Sequence, residues 1–145
     1  RAQRSALAAG SACLERRPLD APRMHEAAQC LLGERDFSAF RGAGCQSRTP
    51  MRRLERVAVS RAGDLLTIEV EANAFLLHMV RNIAGSLLAI GTGDRPPEWL
   101  AGVLESRDRT LAAATAPAQG LYLVDVGYDA HRGLPRPPAG PWFAC

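Results

Sequence analysis

Asn73-Ala-Phe-Leu-Leu-His-Met-Val-Arg-Asn-Ile-Ala-Gly-Ser-Leu-Leu-Ala-Ile-Gly91 is apolar on almost every face of a helix. Arg81 is the only formally charged residue between Glu71 and Asp94. A helix that is apolar all round is buried, either in a protein core or in a bilayer. Residues 74–93 are long enough to qualify as a span. Arg81 near the middle would cost about 2.5–3.5 kcal/mol there. His78, Asn82, Ser86 and three glycines add to that, and no aromatic belts flank the stretch. The segment therefore predicts a core helix closed by Gly91 and Gly93. A guanidinium keeps its proton, so a buried one requires a carboxylate or phosphate partner. The partner of Arg81 is the main functional question. Phe75 and His78 flank it at helical spacing and read as packing residues.

Working outward, residues 52–60 read as a strand and Ala62-Gly63-Asp64 as a turn. A second strand runs through Leu66, Ile68, Val70 and Ala72, with Thr67, Glu69 and Glu71 alternating outward. That period of two marks a half-buried sheet, and the pair a hairpin. Upstream, Asp20-Ala-Pro-Arg-Met opens a helix with Asp20 as N-cap and Pro22 in the first turn. Met24, Ala27, Ala28, Leu31 and Leu32 form its core-facing stripe, and Gly33 is its stop. Asp36-Phe-Ser-Ala-Phe40 follows with two aromatic anchors.

Downstream, a shorter helix begins near Pro96-Pro97-Glu98-Trp99 and ends around Ser106. Asp108–Pro117 is an alanine-rich connection, and Gly120–Tyr128 reads as a last strand with Tyr122, Val124, Val126 and Tyr128 on one face. The tail from Leu134 carries four prolines and is expected to be extended. These elements predict an α+β fold, an antiparallel sheet with helices packed on one face. The expected organisation is a connecting segment over 1–20, a domain over 21–130 and a Pro-rich tail over 131–145.

A chain of 145 residues fits one domain, burying roughly 70% of its unfolded surface. All 18 basic residues are arginine. The lack of lysine excludes Schiff-base chemistry, a Walker A lysine and a lysine general base within the chain; a codon-biased genome is the bland explanation. Net charge is only +3, but six arginines (Arg41, Arg48, Arg52, Arg53, Arg56, Arg61) face one acid, Glu55, between Arg41 and Arg61. Arginine forks suit phosphate oxygens. The stripe reads either as a nucleic-acid backbone surface or as a solvated strand face.

Cys13, Cys30, Cys45 and Cys145 show neither C-x-x-C pairing nor Cys/His ligand spacing, so reduced cytosolic thiols and no metal site are expected. The first ten residues lack a secretory apolar region, and without an initiating methionine the chain is expected to begin mid-protein. There is no Ser/His/Asp pattern, nucleophile elbow or phosphate loop. Asp36, Asp108 and Asp125 read as caps, turns or surface charges.

Several strings in order resemble the carboxy-terminal half of the bacterial tRNA pseudouridine synthase A family. They are Met24-His-Glu-Ala-Ala-Gln-Cys-Leu-Leu-Gly33, Asp36-Phe-Ser-Ala-Phe-Arg41 and Cys45-Gln-Ser-Arg-Thr-Pro50. They continue with the stretch from Ala72 to Leu88, with Asp108-Arg-Thr-Leu-Ala-Ala-Ala-Thr-Ala-Pro117 and with Gly120-Leu-Tyr-Leu123. The resemblance runs from about residue 18 to about residue 143.

It implies two similar ferredoxin/RRM-like sandwiches joined in one sheet, and a cytoplasmic homodimer that binds tRNA. The implied reaction isomerises uridine to pseudouridine in the tRNA anticodon arm, at positions thirty-eight to forty, without cofactor or metal. An aspartate there attacks ribose C1′ or assists glycal formation, and the freed uracil rejoins through C5. That aspartate lies in an Arg-(Thr/Ser)-Asp-x-Gly-Val-His motif that is not found in this chain, so the fragment is expected to be inactive alone. The resemblance makes Arg81 the partner of that aspartate and Leu121 a lining residue of the uracil pocket. Arg41, Arg48 and Arg52 become candidate tRNA phosphate contacts. Two alternatives stay open: a non-catalytic RNA-binding module, and a structural interaction domain.

Overall fold

The computed structural model describes residue 8, residues 10–127 and residue 133. Helix α1 (Ala21–Ala28) starts where the sequence predicts: the Asp20 carboxylate accepts the Arg23 N–H at 3.0 Å, with Pro22 in the first turn. Met24, Ala27 and Ala28 are buried, and Leu31 is buried on the single 3-10 turn Gln29–Leu31 that continues the helix. The helical run ends at Leu31 with Leu32 as its C-cap, and Gly33 stands directly after it. The Gly33 φ of +88° opens strand β1 (Gly33–Asp36), a conformation that suits a residue without Cβ.

Strand β2 (Met51–Ala62) pairs antiparallel with both β1 and β3 (Leu65–Ala72), giving a three-stranded sheet in the order β1-β2-β3. A register shift between Leu54 and Arg56 inserts one extra residue in β2. Beyond that bulge Val57 and Val59 lie opposite Val70 and Ile68 on the inner face. Glu69 and Glu71 face solvent, and Arg56 reaches Glu69 at 3.1 Å across the outer face. β1 covers β2 only as far as Leu54. Past that point side chains of α1 and of the following 3-10 turn satisfy the β2 edge: Val59 N–H donates to His25 Nδ1 at 3.1 Å, and Gln29 Nε2 donates to the Val57 carbonyl at 3.3 Å.

Helix α2 (Met79–Gly91) packs on α1, which lies on β2. Met24, Ala28, Leu31, Leu54, Val57, Val59, Ile83, Leu87 and Ile90 join Phe37 and Phe40 in one apolar core. Each large side chain buried there contributes roughly 1.5–3 kcal/mol. α1 and α2 approach closely at Gly91, where a Cβ would stand 2.4 Å from Met24 Sδ; the Asp20 N–H donates to the Gly91 carbonyl at 2.9 Å. Helix α3 (Trp99–Ser106) seals the core with Leu100, Val103 and Leu104. The chain has the α+β architecture expected, an open antiparallel sheet with helices on its inner face.

Two expectations are corrected. α2 begins at Met79, so Phe75 and His78 are not on it; both are exposed rather than packed. His78 adopts a left-handed backbone (φ 59°) that swings the chain into the helix, while Leu76 takes the core position. Leu121 to Gly127 forms no ladder among the described residues, and Leu121, Tyr122, Leu123, Val124 and Val126 are all exposed. Strand propensity there meets no partner edge, and a strand needs one. Tyr128 and the tail with Trp142 and Phe143 lie outside the described residues.

Candidate functional site

No residue of α2 is exposed, as its all-round apolarity predicts. One face, with Met79, Ile83, Leu87 and Ile90, enters the core. The other carries Arg81, Asn82, Gly85 and Ser86, and a backbone segment lies directly on it. A Cβ at Gly85 would sit 2.0 Å from the Ala114 carbonyl oxygen, so only glycine admits that segment. Ala113 N–H donates to Ser86 Oγ at 3.3 Å, and Ala116 N–H donates to the Arg81 carbonyl at 3.1 Å. The polar residues in this apolar helix are thus the seat for the alanine-rich connection.

Arg81 is half-buried on the first turn of α2. Its Nε donates to the Ala116 carbonyl at 2.8 Å. Among the described residues no carboxylate lies within 4 Å of it. A cation at a helix N-terminus opposes the helix dipole, and the first turn of α2 contains no acid. The guanidinium and the N-terminal amides together therefore favour an anion at this end of the helix.

Beside Arg81 lies a partly buried polar network that the sequence reading missed. Asn82 is fully buried; its Nδ2 donates to the Phe40 carbonyl at 2.8 Å. Its Oδ1 accepts from Thr115 Oγ1 at 2.6 Å and from Arg109 Nη2 at 3.0 Å. Arg109 also donates to Thr115 Oγ1 at 3.0 Å and to the Ala113 carbonyl at 3.1 Å. The available signal was Asn82 itself, an amide set in an apolar helix, followed by a lone arginine in the connection.

The remaining candidates are scattered around this centre. Leu121 is 49% exposed and stands five residues beyond Ala116, its N–H donating to the Ala118 carbonyl at 3.2 Å. Arg41 donates to the Cys45 and Ser47 carbonyls at 3.0 and 2.6 Å and so braces its own loop. Arg52 donates to the Thr49 and Met51 carbonyls at 3.0 and 2.6 Å. Arg48 is exposed. Within the stripe Arg53 pairs with Glu55 at 3.1 Å and Arg61 donates to the Leu19 carbonyl at 2.7 Å.

Two of the acids, Asp36 and Asp108, act as local caps, and Asp36 also pairs with Arg107 at 3.4 Å. Asp36 accepts from the Ser38 N–H and hydroxyl, and Asp108 from those of Thr110. Cys13, Cys30 and Cys45 are free thiols. Hydrogen bonds from the Leu77 N–H, the Ser47 N–H and hydroxyl, and the Arg41 guanidinium bring the Cys45 thiol down to about 6. Burial raises the Cys30 thiol. Among the described residues there is no cluster suited to a metal ion, and no helix is long and apolar enough to cross a membrane.

Comparison with known proteins adds to this geometry. Relatives that carry the name tRNA pseudouridine synthase A include the following two. The one from Tolumonas auensis is 58% identical over 127 residues, covering 87% of this chain and 49% of that protein. The one from Cronobacter sakazakii is 59% identical over 126 residues, covering 87% of this chain and 47% of that protein. The chain thus spans about half the length of the curated relatives it matches. A family described as tRNA pseudouridine synthase matches residues 27–129, a span that holds the hairpin, α2 and the segment seated on it, and on that match the chain belongs to the tRNA pseudouridine synthase family.

Proposed function

We propose that this chain is the carboxy-terminal half of a tRNA pseudouridine synthase and contributes Arg81 to an active site completed by an amino-terminal half. The observation that carries the reading is the state of Arg81. It is a half-buried cation at the positive end of α2, anchored through Nε alone and with no carboxylate within reach among the described residues. An aspartate placed there by the other half would form a charge-assisted pair with the outer guanidinium nitrogens. The pair would keep that carboxylate ionised and oriented for attack at ribose C1′ or for glycal formation. The C1′–N1 bond breaks, the base turns, and a C1′–C5 bond forms; C5 then gives up its proton and N1 takes one, so the overall composition is unchanged.

The partition into a connecting segment over 1–20, a domain over 21–130 and a tail over 131–145 belongs to this reading. So does a strand role for 120–128: the exposed apolar side chains at 121–126, together with the outer edge of β3, which has no ladder partner among the described residues, fit sheet pairing with the other half. Leu121 would then line the uracil pocket, and Arg41, Arg48 and Arg52 would face tRNA phosphates. The resemblance also carries the anticodon-arm specificity, the homodimer and a cytoplasmic location.

The test joins this chain to the amino-terminal half of the Tolumonas auensis relative and measures pseudouridine in transcribed tRNA. The joined protein is expected to modify positions thirty-eight to forty, and the isolated chain to leave tRNA unmodified. A correctly folded joined protein without activity overturns the reading. Product from the isolated chain overturns the claim that the nucleophile lies elsewhere.

A further inference from the structure

The segment that holds the Ala116 carbonyl against Arg81 has neither helical nor strand structure between Ala112 and Ala116. Its position must come from side chains and from the bare surface of α2. Arg109 supplies the part of the polar hold that reaches both sides: Nη1 donates to the Ala113 carbonyl, while Nη2 donates to both Thr115 Oγ1 and Asn82 Oδ1. Asn82 is the residue next to Arg81 on the helix and is itself fixed to the Phe40 carbonyl. Arg109 therefore bridges the helix that carries Arg81 and the segment that anchors its side chain. Its guanidinium serves carbonyls, a hydroxyl and an amide, and no carboxylate lies within 4 Å of it among the described residues.

We propose that Arg109 is a positioning residue for the reaction: its fork, with Thr115 and Asn82, locks Ala113–Ala116 onto α2 and so sets the aim of Arg81. The proposal rests on the reading that Arg81 faces a catalytic carboxylate. Arg81 is a long side chain anchored by a single Nε–H···O bond to Ala116, which leaves both outer nitrogens to meet an anion. Any lift of the segment re-aims those nitrogens. Displacements of about 1 Å around reacting groups cost about a hundredfold in rate. Lysine cannot replace the fork, because a single ammonium does not span the helix amide and two sites on the segment.

The test uses the joined protein and the variants Arg109→Lys, Thr115→Val and Thr115→Ser, each in the parent and in the Arg81→Lys background. In the parent, Arg109→Lys and Thr115→Val are expected to lower kcat by roughly ten- to a hundredfold with KM for tRNA little changed. Thr115→Ser, which keeps the hydroxyl, is expected to retain kcat. In the Arg81→Lys background the same changes are expected to cost about twofold or less, because the group they aim is already lost. Full kcat in both Arg109→Lys and Thr115→Val overturns the positioning role while leaving that of Arg81 intact, and so does an equal fall in both backgrounds. Should Arg109→Lys fail to fold, Thr115→Val against Thr115→Ser decides. Full kcat in Arg81→Lys alone overturns the underlying reading and this role with it.

Discussion

Gly85→Ala tests whether the segment seated on α2 has the close contact described above. In an ordinary solvent-facing helix this change stabilises by about 0.8–1 kcal/mol. Here the new Cβ would stand 2.0 Å from the Ala114 carbonyl oxygen, with the Ala114 carbonyl carbon and the Ala116 nitrogen at 3.2 and 3.3 Å. All three are backbone atoms, so the segment itself must move by more than 1 Å to restore contact distance. Three hydrogen bonds go with it: Ala113 N–H to Ser86 Oγ, Ala116 N–H to the Arg81 carbonyl, and Arg81 Nε to the Ala116 carbonyl. The two neutral bonds are worth about 1 kcal/mol each and the charged one about 2. Partial relaxation and the helix-propensity gain leave a net loss of roughly 1–3 kcal/mol. Urea denaturation followed by circular dichroism reads that loss directly. Joined to the amino-terminal half, the variant should also lose pseudouridine formation, since Arg81 loses its anchor. An unchanged or raised urea midpoint would refute the close seating.

Three further outcomes follow from the same geometry. Asn82→Leu strands the Thr115 hydroxyl and the Phe40 carbonyl and removes one of the Arg109 bonds, and should cost about 2–4 kcal/mol in urea denaturation; a loss under 1 kcal/mol would mean the network is dispensable. Cys45, held as a thiolate down to about pH 6, should reach half its limiting rate of iodoacetamide alkylation near that pH, whereas the half-buried Cys30 thiol should react only above its ordinary 9.0. Indistinguishable pH profiles, read by mass spectrometry, would contradict the donor set around Cys45. The hydroxyl and N–H of Thr110 hold Asp108 below the usual 3.8. Its folded pKa is depressed, so its stabilisation is present above 3.8 and is lost as pH falls through the lower folded value. Asp108→Ala should therefore melt lower than the parent at pH 7, the gap closing in strong acid. A gap that persists unchanged at pH 2 would refute the cap.

Much of the fold was legible because period and capping agreed. Asp20 and Pro22 fixed the start of α1, and alternation fixed β3 face by face. β1 was not legible, because Gly33-Glu-Arg-Asp36 has no apolar alternation and lies mostly exposed on a charged edge. The bounds of α2 were misjudged for a related reason: apolar residues continue upstream of Met79, and only the left-handed backbone of His78, invisible to periodicity, ends the helix there. Arg81 stood out as a charge in an apolar run, and the structure adds its anchor on Ala116. The seat beneath that anchor was hidden in plain residues. In the sequence Gly85 and Ser86 argue only against a membrane span, and the alanines of 112–116 carry no pattern, so their contact emerges only when the two segments meet. Arg109, Asn82 and Thr115 are separated by up to 33 residues in sequence yet share bonds at 2.6–3.0 Å.

The central claim is that Arg81 is half of an ion pair whose other half lies in an amino-terminal domain. Pseudouridine formation by the joined protein, compared with its Arg81→Ala variant under single-turnover conditions, tests it most directly. Removing one partner of a desolvated pair costs about 3–5 kcal/mol, so the rate should fall by at least about a hundredfold, with unaltered circular dichroism and tRNA affinity. A folded Arg81→Ala protein that turns over at the parent rate would contradict the account.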